Sequence, residues 1–105
     1  LAEDSGNSQA QVQAYSNMGA AYFNLGDYKQ TIQSNKLAWK LIPEEDLEAR
    51  AEAVASMAGS YFHMNNFEKA VKMYLQLLKL AEGLEDESMQ LDTFKWLAES
   101  CYQMG

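Results

Sequence analysis

The sequence predicts an all-α fold of about five helices, arranged as a stack of antiparallel helix pairs. Three observations support this: self-similarity with a period of 39 and then 40 residues, apolar side chains three or four residues apart within each copy, and no alternating pattern typical of a half-buried strand. Because the predicted turns between helices are short, consecutive helices must run antiparallel.

The repeat is clearest when three stretches of the chain are laid over one another. The aligned columns are Val12, Ala51 and Leu91; Tyr15, Val54 and Phe94; Met18, Met57 and Leu97; Gly19, Ala58 and Ala98; and Tyr22, Tyr61 and Cys101. A second register, through Leu1, Leu41 and Leu80, has the same spacing. We expect the column of small residues to let the two helices of a pair approach closely, because larger side chains there would overpack the contact.

Helical spacing and turn residues together set the predicted helix boundaries. The helices are predicted at 8–25, 28–42, 46–64, 67–82 and 88–104. Asp27 and Asn66 are good N-cap residues, and Pro43 ends the second helix. Two acidic clusters fall at predicted helix N-termini, where negative charge is favoured, so we expect them to cap helices rather than bind a charged ligand. These clusters are Glu44, Glu45, Asp46 and Glu48, and Glu85, Asp86 and Glu87.

The repeated residues resemble those of the tetratricopeptide repeat family. The first copy has Tyr15, Met18-Gly19, Tyr22, Gly26-Asp27-Tyr28, Thr31, Ala38 and Pro43; the second has Val54, Met57-Ala58, Tyr61, Asn65-Asn66-Phe67, Ala70 and Tyr74; the third has Phe94, Leu97-Ala98 and Gly105. The resemblance covers nearly the whole chain and implies a right-handed α-solenoid of antiparallel helix pairs. The period here exceeds that of the standard repeat, which is about 34 residues.

The repeat also predicts how the chain is organised. We expect one repeat domain over 1–105, with repeats at 12–50 and 51–90. Residues 1–7 are interpreted as the tail of an upstream repeat, and 91–105 as the first helix of a further or capping repeat. Because the chain starts with Leu rather than Met, we expect it to be part of a longer protein.

Charge and composition exclude several classes of partner. The chain has 8 basic and 15 acidic side chains and a net charge of −7, which argues against nucleic acid and anionic membrane surfaces as partners. No apolar run approaches the roughly 20 residues that span a bilayer. With a single cysteine and no internal disulfide, we expect a cytoplasmic protein.

The residue types that perform catalysis are scarce in this chain. It has one histidine, His63, and one cysteine, Cys101, which aligns with the predicted core residues Tyr22 and Tyr61 and is therefore expected in the core. We find no catalytic constellation and no motif for a metal or phosphate. The sequence thus predicts a protein that is not an enzyme and has no cofactor. Four methionines are also expected to pack in the core, with Leu25 aligned to the last two: Met18, Met57, Met64 and Met104.

The resemblance implies that the first helix of each pair lines a concave groove that binds a partner peptide. Phe23, Phe62 and Tyr102 align there as an aromatic row, with Trp96 about one turn away. These rings either anchor a partner or pack between adjacent repeats, and the sequence leaves both open. The predicted groove residues are Gln13, Asn17, Phe23, Asn24, Ser56, Phe62, His63, Asp92, Lys95, Trp96, Glu99, Tyr102 and Gln103.

The groove residues also indicate the chemistry of the partner. Some relatives in the family bind acidic chain ends with basic side chains, but the matching slots here hold Ser16, Ala20, Ser56, Asp92 and Trp96. We therefore expect a protein or peptide partner that is neutral to basic and partly apolar. Two alternatives stay open: a regulatory fragment of a larger sensor controlled by peptide binding, and a homodimer formed through the half-covered C-terminal helix.

Overall fold

A computed structural model describes residues 2–105, with side chains from Asn7 onward. Five α-helices and no strand make up this part of the chain: α1 (Ala2–Asn24), α2 (Tyr28–Leu41), α3 (Leu47–His63), α4 (Phe67–Gly83) and α5 (Glu87–Met104). The predicted all-α repeat is confirmed, and α2 to α5 lie within one residue of their predicted bounds. Helix α1 begins well before the predicted residue 8, so most of the predicted tail at 1–7 continues this helix; Leu1 lies outside the described residues.

Each of the last four helices begins at an acidic or amide N-cap. The side chains of Asp27, Asp46, Asn66 and Asp86 each accept a hydrogen bond from the backbone N–H three residues on, at 3.0–3.4 Å. Such a cap contributes about 1 kcal/mol to helix stability. The capping role predicted for Asp27, Asn66 and the two acidic clusters is therefore confirmed at these positions.

Three of the four turns share one geometry. Gly26, Asn65 and Glu85 adopt a left-handed conformation, with φ of 80°, 62° and 55°. The next residue in each turn donates its N–H to a carbonyl in the last turn of the preceding helix, at 2.9–3.0 Å. This pattern is a Schellman-type helix ending, which reverses the chain within a few residues. The α2–α3 turn differs because Pro43 follows the end of α2.

Small residues allow the two helices of each pair to pack closely. Gly19 is buried against α2, where a Cβ atom would lie 2.8 Å from Nδ2 of Asn35. The Thr31 hydroxyl donates to the Gly19 carbonyl across this contact, at 3.1 Å. In the next pair Ala58 is 0% exposed, and so is Ala70 of α4. The expected close approach is thus confirmed for both complete pairs.

The main core lies in the middle of the stack, shared by α2, α3 and α4. Its buried residues are Ile32, Ala51, Val54, Met57, Ala58, Tyr61, Ala70, Tyr74 and Leu77. Because α2 belongs to one pair and α3 and α4 to the next, this cluster joins consecutive pairs as well as the two helices within a pair. Because five of its nine residues lie on α3, the cluster holds this helix most firmly.

The expectation that Met18, Ala98 and Cys101 are buried like their aligned counterparts is wrong. All three are exposed. Met57 is buried in the core that α3 shares with α2, whereas no described helix precedes α1 to cover Met18 in the same way. Likewise, no described helix follows α5, so Ala98 and Cys101 are left uncovered. Burial in this fold therefore depends on a neighbouring helix, not on the repeat position alone.

The core positions predicted for Leu25, Met64 and Met104 are also wrong. These side chains are exposed. Met104 is the last residue of α5, Met64 is the C-cap of α3, and Leu25 directly follows α1. At each of these positions the helix is ending, so the side chain no longer lies between packed helices.

We expect Ala58→Leu to lower the free energy of unfolding by about 1–3 kcal/mol, because the added atoms have no space between α3 and α4. Ala98→Leu is the matched control, since Ala98 occupies the same repeat position but is exposed, and we expect a change within about 0.5 kcal/mol. Chemical denaturation followed by circular dichroism measures both. Equal stability of the two variants would contradict this account of the helix contact.

Candidate functional site

A continuous chain of rings runs across α1, α3 and α5. His63 lies between the rings of Phe23 and Phe62, with centroid distances of 5.5 and 6.1 Å. Phe62 then meets Trp96 edge to face at 5.2 Å. The first helices of the pairs therefore share one aromatic surface, which we call the aromatic row, defined by Phe23, His63, Phe62 and Trp96.

Two more rings support this row from the following helices. Tyr28 packs edge to face on Phe23, and Phe67 does so on Phe62, with 5.3 Å between centroids in both cases. Tyr28 also stacks on His63 at 5.1 Å. These two rings are not among the predicted groove residues, although Tyr28 and Phe67 align with each other across the repeat. The repeat thus reproduces the same ring pair twice.

Tyr102 occupies the third position of the predicted row but does not join it. Its side chain is 79% exposed. In the first two pairs the supporting ring is the first residue of the next helix, Tyr28 or Phe67, and no described helix follows α5. Tyr102 therefore has no such ring beneath it among the described residues.

A hollow of about 340 Å³ opens beside the aromatic row between α3, α4 and α5. We call it the α3–α5 hollow. Its walls are mostly apolar and aromatic, and Asp92 supplies a carboxylate. The lining residues are Phe23, Ala55, Gly59, Phe62, His63, Tyr74, Leu77, Met89, Asp92 and Trp96. Tyr74, Leu77 and Met89 are not among the predicted groove residues, because two of them come from the second helix of a pair and the third from the first turn of α5.

Tyr74 forms part of the hollow's rigid inner wall. It is buried, and its ring stacks on Trp96 with centroids 6.2 Å apart and planes 7° from parallel. Burial raises the pKa of the Tyr74 hydroxyl to about 12, because the phenolate would lose its hydration. The proton of Tyr74 is therefore retained to a higher pH than that of an exposed tyrosine.

A second hollow, of about 660 Å³, lies between α1, the end of α2 and the first turns of α3. We call it the α1–α3 hollow. Its lining includes two acidic side chains, Asp46 and Glu52, and the predicted site residue Gln13. The lining residues are Ser8, Gln9, Val12, Gln13, Ser16, Leu41, Ile42, Pro43, Asp46, Ala49 and Glu52.

Seven other predicted groove residues lie outside both hollows, and Gln13 of the α1–α3 hollow is hydrogen-bonded to one of them. Ser56 is half-buried, and its hydroxyl accepts a hydrogen bond from Nδ2 of Asn35 at 3.1 Å, so it holds α3 against α2. Two pairs of exposed side chains are hydrogen-bonded within their own helices. Gln13 donates to Asn17 on α1 at 3.1 Å, and Gln103 donates to Glu99 on α5 at 3.0 Å. Asn24 and Lys95 are exposed on α1 and α5.

The described residues offer little for catalysis or metal binding. His63 is exposed and engaged in ring contacts, and Cys101 is an exposed thiol on α5. Among the described residues no group of three or more His, Cys, Asp or Glu side chains could hold a metal ion. Within residues 2–105, no helix combines the length and the apolar character that crossing a membrane requires. The site is best described as a shaped surface of rings, amides and carboxylates.

Comparison with known families identifies the repeat independently. A family model described as Tetratricopeptide repeat matches the chain twice, at residues 12–44 and 51–83, which together cover well over half of its length. Each match begins within the first helix of a pair and runs through the whole of the second. A search of curated proteins finds no match to this chain.

The raised pKa of Tyr74 predicts how the folding stability of the protein changes at alkaline pH. The folded chain keeps this proton up to about pH 12, whereas the unfolded chain releases it near the ordinary value of 10.0. Folding stability therefore falls as the pH rises through this window, since the unfolded state loses the proton first. Ultraviolet titration of phenolate absorbance should show a tyrosine that ionises late, and Tyr74→Phe should remove that step. A late step that survives the substitution would contradict the assignment.

Proposed function

Since the chain belongs to the tetratricopeptide repeat family, we propose that it is a non-catalytic interaction module that holds a partner peptide on the surface of α1, α3 and α5. Members of the family generally mediate protein–protein interaction. The observation that carries the proposal is the aromatic row beside the α3–α5 hollow. Its rings are fixed by their neighbours yet remain partly accessible to a ligand.

The contacts of the aromatic row support both roles that the sequence left open. Phe23 and Phe62 are half-buried against neighbouring helices, while Trp96 is 45% exposed. A ring held in place by its neighbours loses little conformational freedom when a ligand covers its open side. Packing between repeats therefore prepares these rings as anchors for apolar side chains of a partner, and anchors of this kind dominate peptide affinity.

The two hollows are spaced to suit one extended peptide. Glu52 lines the α1–α3 hollow and Gly59 lines the α3–α5 hollow, on the same helix. Seven residues of helix span about 10 Å, which about three residues of extended chain also cover. A segment of four or five residues could therefore place a side chain in each hollow. We propose that its backbone is bound by Asn17, Asn24, His63 and Gln103.

The proposed place of action is the cytoplasm. Cys101 is an exposed thiol with no second cysteine in the chain to pair with. Exposed unpaired thiols are typical of reducing compartments. This compartment would also supply peptide segments of other proteins as partners.

A second candidate function, self-association, is favoured by the uncovered face of α5. Leu91 and Phe94 are 63% and 52% exposed, and Ala98 and Cys101 continue the same stripe. The steps of three, four and three residues follow the spacing of a coiled-coil seam. We propose that a second copy of this chain covers the stripe, because two such seams are complementary to each other.

We expect Phe62→Ala to weaken peptide binding by roughly thirty-fold, as removal of a central aromatic anchor costs about 2 kcal/mol. The probe is the tightest peptide selected from a random display library, measured by fluorescence anisotropy. Leu75→Ala, at an exposed position of α4, is the control, and circular dichroism verifies that both variants are folded. Equal affinity of the two variants would remove Phe62 from the site.

Self-association predicts a dimer that Phe94→Glu abolishes, because the new carboxylate would be buried in the seam. Lys72→Gln is the control, since it makes the same change in net charge at an exposed position on α4. Sedimentation velocity at several concentrations measures the mass of both variants. A wild-type chain that stays monomeric at the highest concentration would reject this candidate.

A further inference from the structure

The α3–α5 hollow combines an aromatic wall with a single carboxylate. Asp92 and Trp96 both line it, and they are four residues apart on α5. Side chains at this spacing lie next to each other on one face of a helix. Asp92 is therefore next to Trp96 in the hollow, where the other lining residues are apolar or aromatic apart from His63.

We propose that this hollow binds an arginine side chain of the partner peptide, an inference that rests on the proposed function. The guanidinium lies against Trp96 and pairs with the carboxylate of Asp92. The methylene stem of the arginine lies along Phe62 and Leu77, which also line the hollow. The planar, weakly hydrated guanidinium matches an aromatic face and a carboxylate at once, whereas the compact lysine ammonium does not.

The contacts of Trp96 leave space for such a ligand. Tyr74 stacks on the ring from the core side, and Phe62 meets it edge to face. The remaining 45% of the side chain is open. A ring braced in this way keeps its position whether or not a cation lies on it, so little freedom is lost on binding.

The charge around the hollows favours a cation over an anion. Among the described residues that line the two hollows there is no lysine or arginine, and the acids are Asp46, Glu52 and Asp92. Six of the seven lysines lie instead on the exposed faces of α2 and α4: Lys29, Lys36, Lys40, Lys69, Lys72 and Lys79. The seventh, Lys95, is exposed on α5 but does not line either hollow. A basic peptide therefore meets attraction along the hollows, while an acidic one would be repelled there.

The chain makes the same type of contact internally. The guanidinium of Arg50 lies 4.3 Å from the ring centroid of Trp39. It also donates hydrogen bonds to the carbonyl oxygens of Ile42 and Pro43, both at 3.1 Å. This arrangement shows how an arginine can satisfy its donors while it covers a tryptophan at the edge of these helices.

The test begins with a random heptapeptide display library selected on the wild-type chain. We expect an arginine at one fixed position of the selected peptides. In the best of them, citrulline in place of that arginine keeps the shape but removes the charge, and should weaken binding roughly ten-fold. Asp92→Asn should weaken the arginine peptide roughly five-fold and leave the citrulline peptide unchanged.

Glu87→Gln is the matched control, because it removes an exposed acid from the same helix outside both hollows, and we expect less than a two-fold change. Equal binding of the arginine and citrulline peptides, or equal effects of Asp92→Asn and Glu87→Gln, would overturn this inference and leave the proposed function standing. Selected peptides with an apolar residue or lysine at the fixed position would overturn it in the same way. A library that yields no binder would overturn both.

Discussion

Close packing of the two helices within a pair is the constraint on which the rest of this structure depends. Gly19 lies so near Asn35 that a Cβ atom would approach its amide nitrogen to 2.8 Å, and Ala58 is fully buried at the same position of the next pair. Because the two helices of each pair are in close contact at this position, the turns and the neighbouring rings of both pairs adopt matching geometry. The result is a repeated unit whose first helices come to lie side by side.

Polar groups also join consecutive pairs. Asn35 is buried in α2, where its amide donates to the Thr31 carbonyl at 2.9 Å and to the Ser56 hydroxyl of α3 at 3.1 Å. In the aligned position of α4 the chain has Tyr74, which instead packs on Trp96 of α5. The first junction is therefore hydrogen-bonded and the second aromatic. This difference explains why the hollow with ring walls forms beside α5.

The sequence pattern placed only part of the candidate site. Phe62, Asp92 and Trp96 were found because they lie opposite the core stripe on first helices. Tyr74 and Met89 were missed, since a second helix and a first turn are not part of that face in a one-dimensional pattern. Their contribution to the hollow depends on the angle at which α4 and α5 meet, and no local spacing of residues encodes that angle.

The number of helices, their caps and the period of the repeat could be predicted from residue types and their spacing along the chain, because each is a local or periodic feature. Which repeat positions are buried depends on the packing of neighbouring helices. Met57 is enclosed and Met18 is not, although the two are equivalent in sequence. The physical reason is that Met57 packs in the core that α3 shares with α2, whereas α1 and α5 each have one face that no described helix covers. On their covered faces, residues such as Gly19 and Thr93 are still buried.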